Sequence, residues 1–127
     1  NDKAKFSEPQ KAYFLNGSLI NHDEVTKTRS VEVLMKSFED IINDSNHRNI
    51  DLIKMDIEGS EFEVVEFILN SGVVIKQFAI EIHERFFQDG KDRVRKLLDM
   101  MNVSGYLVFG VSDSMQEISF IKKEFVV

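Results

Sequence analysis

The sequence predicts an α/β protein whose sheet is mostly parallel and closes with a C-terminal antiparallel hairpin. Three observations predict it. Strand-type segments alternate with amphipathic helical segments, one apolar run is typical of a buried strand, and a short polar turn separates the last two strand-type segments. Alternating strand and helix units form parallel sheets, because each helix carries the chain back to the edge where the previous strand began. Strands joined by a short turn run antiparallel.

The first 29 residues are polar and weakly patterned. Their one short apolar stretch, residues 13–15, leads into Asn16 and Gly17, which form a turn signal because both residue types tolerate positive φ. A small hairpin and a loop both fit this stretch. We therefore divide the chain into a poorly patterned N-terminal segment, residues 1–29, and a patterned domain, residues 30–127.

The patterned domain opens with a predicted strand, a helix and a second strand. Residues 30–35 alternate as a strand does, and Ser37 with Asp40 three residues later forms a capping-box pattern for a helix. That helix is expected to end within the polar run 43–49. Residues 50–57 are mostly apolar, which is typical of a strand buried in a parallel sheet.

Two helices and three strands are predicted in the remaining sequence. Ser60 and Glu63 form a second capping-box pattern, and Gly72 ends this helix because glycine most easily adopts the left-handed conformation. A strand is predicted over residues 73–83. A helix with an apolar stripe at i, i+3, i+4 and i+7 follows Gly90. The closing strands are expected over residues 105–111 and 118–125.

Composition narrows the classes of function. The 127 residues suit one domain, and the formal charge of -6 comes with scattered basic residues. The densest basic stretch, residues 91–96, is interrupted by Asp92 and fits a solvated helix face, so no nucleic-acid partner is expected. The chain has no cysteine, which rules out a disulfide or a thiolate metal site. Without a long apolar run or a signal-peptide pattern, we expect no membrane partner and a cytoplasmic location.

Acidic side chains follow two predicted strands at the point where each ends. Asp56 and Glu58 follow one strand, and Glu81 and His83 end the next. Ligands of open parallel sheets bind beyond the carboxyl ends of the strands. If these two strands are neighbours, both groups face one crevice. Glu81 lies between two isoleucines, so as a buried carboxylate it should have a partner or line a cavity.

Each of these residues also has a purely structural interpretation. Asp56 could cap the next helix or accept backbone amides in the turn, and Glu58 could favour the positive end of that helix. His83 could be a satisfied structural histidine. A divalent metal site of two carboxylates and a histidine is chemically possible, but the spacing alone assigns no metal ligands. The sequence has no hydrolase elbow, no phosphate loop and no Gly-x-Gly-x-x-Gly motif.

Residues 51–64 resemble the signature of FkbM-type methyltransferases. The resemblance lies in the run Lys54-x-Asp56-x-Glu58-Gly59-x-Glu61 after an apolar strand. Its flanks fit the same family: the strand and helix before it, the strand that ends in Glu81 and His83 after it, and the closing hairpin. It covers about residues 30–125, the C-terminal portion of such a domain.

The resemblance implies a partial Rossmann-like class I methyltransferase sheet and methyl transfer from S-adenosylmethionine, typically to a hydroxyl. The acceptor would be a small molecule or a glycan. By position, Asp56, Glu58 and Gly59 would bind the cofactor. Asp56, Glu81 and His83 would be catalytic, as a general base or as ligands of a divalent metal that lowers the pKa of the hydroxyl.

The sequence departs from the family in one large respect. The glycine-rich cofactor loop and the acidic ribose-binding residue, which should precede residue 30, have no counterpart here. We therefore expect a truncated, partial or degenerate methyltransferase that binds the cofactor weakly by itself. A missing central strand would expose a sheet edge, so we expect a homo-oligomer. Two alternatives stay open: a non-catalytic α/β binding or oligomerisation domain, and a metal-dependent hydrolase that uses Asp56, Glu58 and His83.

Overall fold

The structure is a computed structural model that describes residues 3–7, 30–34 and 36–127. Six strands and three α-helices lie within these ranges. In chain order they are β1 (Lys3–Ser7), β2 (Ser30–Leu34), α1 (Phe38–Ser45), β3 (Asn49–Met55), α2 (Glu61–Asn70), β4 (Val74–Glu81), α3 (Gly90–Val103), β5 (Tyr106–Val111) and β6 (Glu117–Lys122). Short 3₁₀ turns follow β4 at Glu84–Phe86 and β6 at Lys123–Phe125.

The main sheet has four strands in the order β3-β4-β6-β5. Strands β3 and β4 are parallel, whereas β6 runs antiparallel to both of its neighbours. The predicted α/β class and the closing antiparallel hairpin are present, but the expectation of a mostly parallel sheet is not confirmed. The last strand inserts between β4 and β5, so two of the three pairings in this sheet are antiparallel.

A second, two-stranded sheet joins β1 to β2. The two strands are antiparallel, with Lys3 opposite Leu34 and Ser7 opposite Ser30. The sequence predicted β2 but not β1, which lies within the weakly patterned segment. Among the described strands, β2 pairs with β1 rather than with the four-stranded sheet. The predicted turn at Asn16 and Gly17 lies outside the described residues, and the domain boundary at residue 30 stays a prediction.

The two capping-box predictions had different outcomes. At α1 the box is present: the Ser37 hydroxyl accepts from the Asp40 amide, and the Asp40 carboxylate accepts from the Ser37 amide. At α2, Ser60 makes no side-chain cap, so the predicted Ser60–Glu63 box is wrong. Ser60 has helical backbone angles, φ -83° and ψ -5°. The extended conformation of a capping residue, which turns its side chain toward the helix amides, is therefore absent.

The core lies between the four-stranded sheet and helices α2 and α3. Its buried side chains come mainly from β4, β6 and the inner faces of the two helices: Phe62, Val65, Ile68, Ile75, Phe78, Ile80, Leu97, Met101, Ile118 and Phe120. The stripe predicted after Gly90 supplies Leu97 and Met101 to this core. In the part of the chain that the structure describes, no helix is both long and apolar enough to cross a membrane.

Candidate functional site

The site lies where β3 and β4 end side by side. The two strands are parallel neighbours, with Met55 opposite Ile80. Their carboxyl ends therefore meet at one edge of the sheet, and the acidic residues after β3 face those that end β4. The two strands are thus neighbours, which is what the predicted crevice requires.

His83 is the centre of this group. Its side chain is 1% exposed, and its Nε2 atom lies 3.7 Å from Asp56 Oδ1, 3.7 Å from Glu58 Oε2 and 3.6 Å from Glu81 Oε1. The ring of Phe86 lies against the imidazole, with 5.2 Å between ring centroids. The structure therefore brings together four of the sequence-predicted site residues, with the histidine buried and the three carboxylates at the rim.

Glu61 adds a fourth carboxylate behind the histidine. It is the first residue of α2 and is fully buried. Its Oε1 accepts a hydrogen bond from the His83 backbone amide at 2.6 Å, and its Oε2 accepts one from the Gly59 amide at 2.8 Å. The same Oε1 lies 3.3 Å from Nδ1 of the His83 ring. Two charge-assisted hydrogen bonds thus fix Glu61 beside the imidazole.

The turn between β3 and α2 sets this geometry. Glu58 has a φ of 54° and Gly59 a φ of 102°, so two successive residues adopt left-handed conformations. Gly59 meets this requirement without strain because it has no Cβ atom. The turn directs the Gly59 amide to Glu61 and leaves the Glu58 side chain at the rim. Because its amide is already engaged, the predicted role of Gly59 in cofactor binding rests on its other backbone atoms and stays a prediction.

The contacts of Asp56, His83 and Glu81 differ from those expected of purely structural residues. Among the described residues, Asp56 makes no hydrogen bond to the amides of α2, so it does not cap that helix. His83 is not a satisfied core histidine within the described part of the chain, because its buried Nδ1 atom has no hydrogen-bond partner there. Glu81 lines a cavity, one of the two outcomes expected for it, and lies 3.6 Å from His83 Nε2, although its side chain is 27% exposed rather than buried.

The sequence does not single out Glu61 as a site residue. It marks Glu61 only as the last member of the Lys-x-Asp-x-Glu-Gly-x-Glu run, and the buried carboxylate that it predicts is Glu81. That run is the one sequence feature that points to Glu61. An acidic residue at the first position of a helix next to Gly59 would ordinarily be exposed and favourable there, so its burial could not be deduced from spacing.

The arrangement concentrates negative charge at a partly open edge. One ligand atom from each of Asp56, Glu81 and His83 lies within 4.8 Å of the others, close enough to share one metal ion. A cavity of about 200 Å³ opens beside this group, lined by residues of three strands that include Lys54, Glu81 and Glu117. Typical small-molecule pockets measure about 300–1,000 Å³, so this cavity can hold part of a ligand rather than enclose one.

Most of the chain matches one known protein family. The sequence pattern of the family described as the methyltransferase FkbM domain matches residues 3–108 of the 127. This range includes the whole site, from Asp56 to His83. Neither the curated proteins nor the solved structures give a match. Because the family pattern spans most of the chain, the protein belongs to the FkbM methyltransferase domain family.

Proposed function

We propose that this chain supplies the acceptor-activating edge of an S-adenosylmethionine-dependent methyltransferase that acts on a hydroxyl group. The observation that carries the proposal is the convergence of Asp56, Glu81 and His83 at the ends of two adjacent parallel strands. Membership of a methyltransferase family gives the reaction type. Ligand sites at the carboxyl ends of parallel strands are the rule in such sheets.

The charge of the site suits the proposed cofactor. Asp56 and Glu58 both lie at the rim, each 3.7 Å from His83 Nε2, with side chains 31% and 26% exposed. S-adenosylmethionine carries an ammonium and a sulfonium group, and carboxylates attract both. When bound, it supplies an electrophilic methyl group. Asp56 and Glu58 would hold its charged end. The sequence contains no Gly-x-Gly pair to carry the rest of the molecule, so binding by this chain alone should be weak.

Exposure distinguishes the roles of the catalytic candidates. The His83 side chain is 1% exposed, so an acceptor hydroxyl cannot reach it directly, whereas Glu81 and Asp56 are both accessible. We therefore assign the proton of the acceptor hydroxyl to the Glu81 carboxylate, with Asp56 orienting the acceptor. His83 keeps the two carboxylates at a fixed separation. Holding the reacting groups in line is the larger part of the task in methyl transfer.

A second candidate function is a non-catalytic domain that binds a protein partner. It is favoured by the apolar side chains exposed on edge strand β5, among them Val108, 48% exposed, and Phe109, 58% exposed. Such exposure on an edge strand is typical of a pairing surface. This function makes no use of the carboxylates around His83, to which the methyltransferase proposal assigns roles.

Isothermal titration of the purified chain with S-adenosylmethionine and S-adenosylhomocysteine tests the proposal. We expect saturable binding that weakens for Asp56→Ala, while Glu63→Gln, a change at an exposed residue of α2, leaves it unchanged. Because of the carboxylates, S-adenosylmethionine, with its sulfonium charge, should bind more tightly than S-adenosylhomocysteine, an uncharged thioether. A folded chain that binds neither compound, or an Asp56→Ala variant that binds both normally, would refute the proposed role of this edge.

A further inference from the structure

We propose that Asp56, Glu81 and His83 form a binding site for a first-row divalent cation such as Mn²⁺. The cluster of carboxylates alone would not carry this inference. The second observation is His83, whose side chain is 1% exposed and whose Nε2 points toward three carboxylate groups at 3.6–3.7 Å, beyond hydrogen-bond distance. A ring nitrogen of a buried imidazole that makes no hydrogen bond within the described part of the chain is costly unless something binds it.

The distances fit a shared ion. Around an ion with bonds of about 2.1 Å, neighbouring ligand atoms lie roughly 3.0 Å apart in an octahedral site and roughly 3.4 Å apart in a tetrahedral one. Here Nε2 of His83 lies 3.7 Å from Asp56 Oδ1 and 3.6 Å from Glu81 Oε1. At the two histidine contacts, closing the site around an ion therefore needs movements of a few tenths of an ångström, and the Asp56 and Glu81 oxygens lie within 4.8 Å of each other. Glu58 Oε2 also lies 3.7 Å from Nε2.

Glu61 provides the outer support that a histidine ligand requires. Histidines that bind metals usually donate their other ring N–H to a carboxylate, which fixes the tautomer and the ring orientation. Glu61 Oε1 lies 3.3 Å from Nδ1, and two backbone amides hold this carboxylate in place. Nδ1 and Glu61 Oε1 lie close without the geometry of a hydrogen bond. A proton on Nδ1 would face Glu61, and the ring would then present the Nε2 lone pair to three carboxylates, an arrangement that a cation would complete because all of these groups are acceptors.

The ligand set indicates the class of cation. Carboxylates suit Mg²⁺, Ca²⁺ and Mn²⁺, while imidazole suits the later first-row metals, so a mixed set selects an ion that accepts both. Cysteine, which would select softer ions, does not occur in the chain. The cation site is inferred from the side chains alone, and only the role of the cation in methyl transfer rests on the proposed function. In that role, a bound cation would lower the pKa of the acceptor hydroxyl.

Titration of the metal-free chain with Mn²⁺, followed by calorimetry and by the electron paramagnetic resonance signal of free Mn²⁺, tests the site. We expect one ion per chain. Asp56→Asn, Glu81→Gln and His83→Gln should each weaken binding at least about tenfold. His47→Gln and Glu63→Gln, both at exposed residues outside the site, should leave it within about twofold, a change too small to match the loss of a ligand or its support.

Two further measurements keep the outcomes separate. Asp56 and Glu81 are partly exposed, so the Asp56→Asn and Glu81→Gln variants should fold even if His83→Gln does not. Circular dichroism of each variant checks that it is folded. The titration is run without S-adenosylmethionine, and cofactor binding is measured with a chelator present. Loss of cofactor binding alone would therefore not affect the cation site. Wild-type protein that is folded but binds no Mn²⁺, or variants that bind it as wild type does, would overturn the inference.

Discussion

Glu61 holds His83 by its backbone and faces its ring: one carboxylate oxygen lies 2.6 Å from the His83 amide and 3.3 Å from Nδ1. The residues are 22 positions apart, at the start of α2 and just beyond β4. This contact connects the helix that follows β3 to the end of the neighbouring strand. It therefore joins the two halves of the candidate site to each other.

Replacement of Glu61 should destabilise the fold strongly. Glu61→Ala leaves the amides of Gly59 and His83 without acceptors in a buried place, which should cost about 2–4 kcal/mol of unfolding free energy. Glu61→Gln should cost less, because the amide retains one acceptor oxygen. Urea denaturation measures both changes, with Glu63→Gln on the exposed side of α2 as the control. Equal stability of the Glu61→Ala and wild-type chains would contradict the described contact.

Neutralising a rim carboxylate should have the opposite effect on stability. Asp56 and Glu81 offer oxygens within 4.8 Å of each other, and like charges at this separation repel. Asp56→Asn should therefore raise the unfolding free energy of the metal-free chain by up to about 1 kcal/mol, a small gain because the carboxylate is partly exposed.

Ionic strength provides the check on this electrostatic cause. Added salt screens the repulsion, so the gain from Asp56→Asn should shrink as salt rises. Asp113→Asn, at an exposed turn residue, serves as the control. A loss of stability in Asp56→Asn, measured by urea denaturation with a chelator present, would show that Asp56 supports the fold rather than the site.

Tyr106 should make stability depend on pH at the alkaline end. Its hydroxyl donates to the Ile75 carbonyl at 2.7 Å, and burial, with the nearby charge of Glu124, raises the pKa of the phenol. The protonated phenol of Tyr106 stabilises the fold fully below about pH 10, the ordinary tyrosine pKa. This stabilisation is lost as the pH rises through the higher pKa of Tyr106 in the folded state. Tyr106→Phe should cost about 1 kcal/mol near neutral pH and abolish this alkaline loss.

Denaturation at about pH 8 and about pH 11 compares the two chains on either side of the ordinary tyrosine pKa. Ultraviolet titration of tyrosinate gives the pKa of Tyr106 directly. The chain has two tyrosines and no tryptophan, so Tyr13→Phe isolates the Tyr106 signal. A Tyr106 phenol that titrates at the ordinary value in the folded chain would disprove the expected pH dependence.

Gly90 allows a close backbone contact that a larger residue cannot make. A Cβ atom there would lie 2.0 Å from the Glu84 carbonyl oxygen, within the 3₁₀ turn that precedes α3. Gly90→Ala should therefore displace this turn and cost about 1–3 kcal/mol. Gly110→Ala is the matched control, because its Cβ would meet Ser119 Cβ at an ordinary 3.6 Å. Similar melting temperatures for both variants would refute the steric explanation.

The edge of β3 that has no partner among the described strands should promote self-association. Among the described strands β3 pairs with β4 alone, and Leu52 in β3 is 55% exposed. We propose that two copies pair through this edge, so sedimentation at micromolar concentrations should show a dimer that Leu52→Lys dissociates. Val108→Lys tests the other edge strand, β5. Dissociation by Val108→Lys alone would move the interface to β5, and a wild-type monomer would argue against both edges.

Local patterns predicted the elements better than their arrangement. The α1 cap was predictable because Ser37 and Asp40 interact within a single turn, and the order of strands and helices from residue 30 follows from local periodicity. The pairing of β6 with β4 was not predictable, since periodicity identifies a strand but does not identify its neighbour in the sheet. The Ser60–Glu63 prediction was wrong because the positive-φ turn at Glu58 and Gly59 delivers Ser60 in a helical conformation.

The sequence predicts which residues lie together in the candidate site better than it predicts which of them are buried. Asp56, Glu58, Glu81 and His83 were found from the rule that strand ends meet at one edge. Which carboxylate is buried depends on how α2 docks on the strands, and that docking places Glu61 inside while Glu81 stays accessible. Exposure of this kind depends on tertiary packing, and no spacing within the sequence encodes it.

The position of β6 affects how the chain can fold during synthesis. This strand is synthesised after both β4 and β5, yet it lies between them in the sheet, and its Phe120 is 1% exposed in the core. Until β6 emerges from the ribosome, β4 and β5 each lack one of their neighbours among the described strands. Their unpaired edges are therefore open to wrong pairing until residue 122 is free, and such edges promote aggregation.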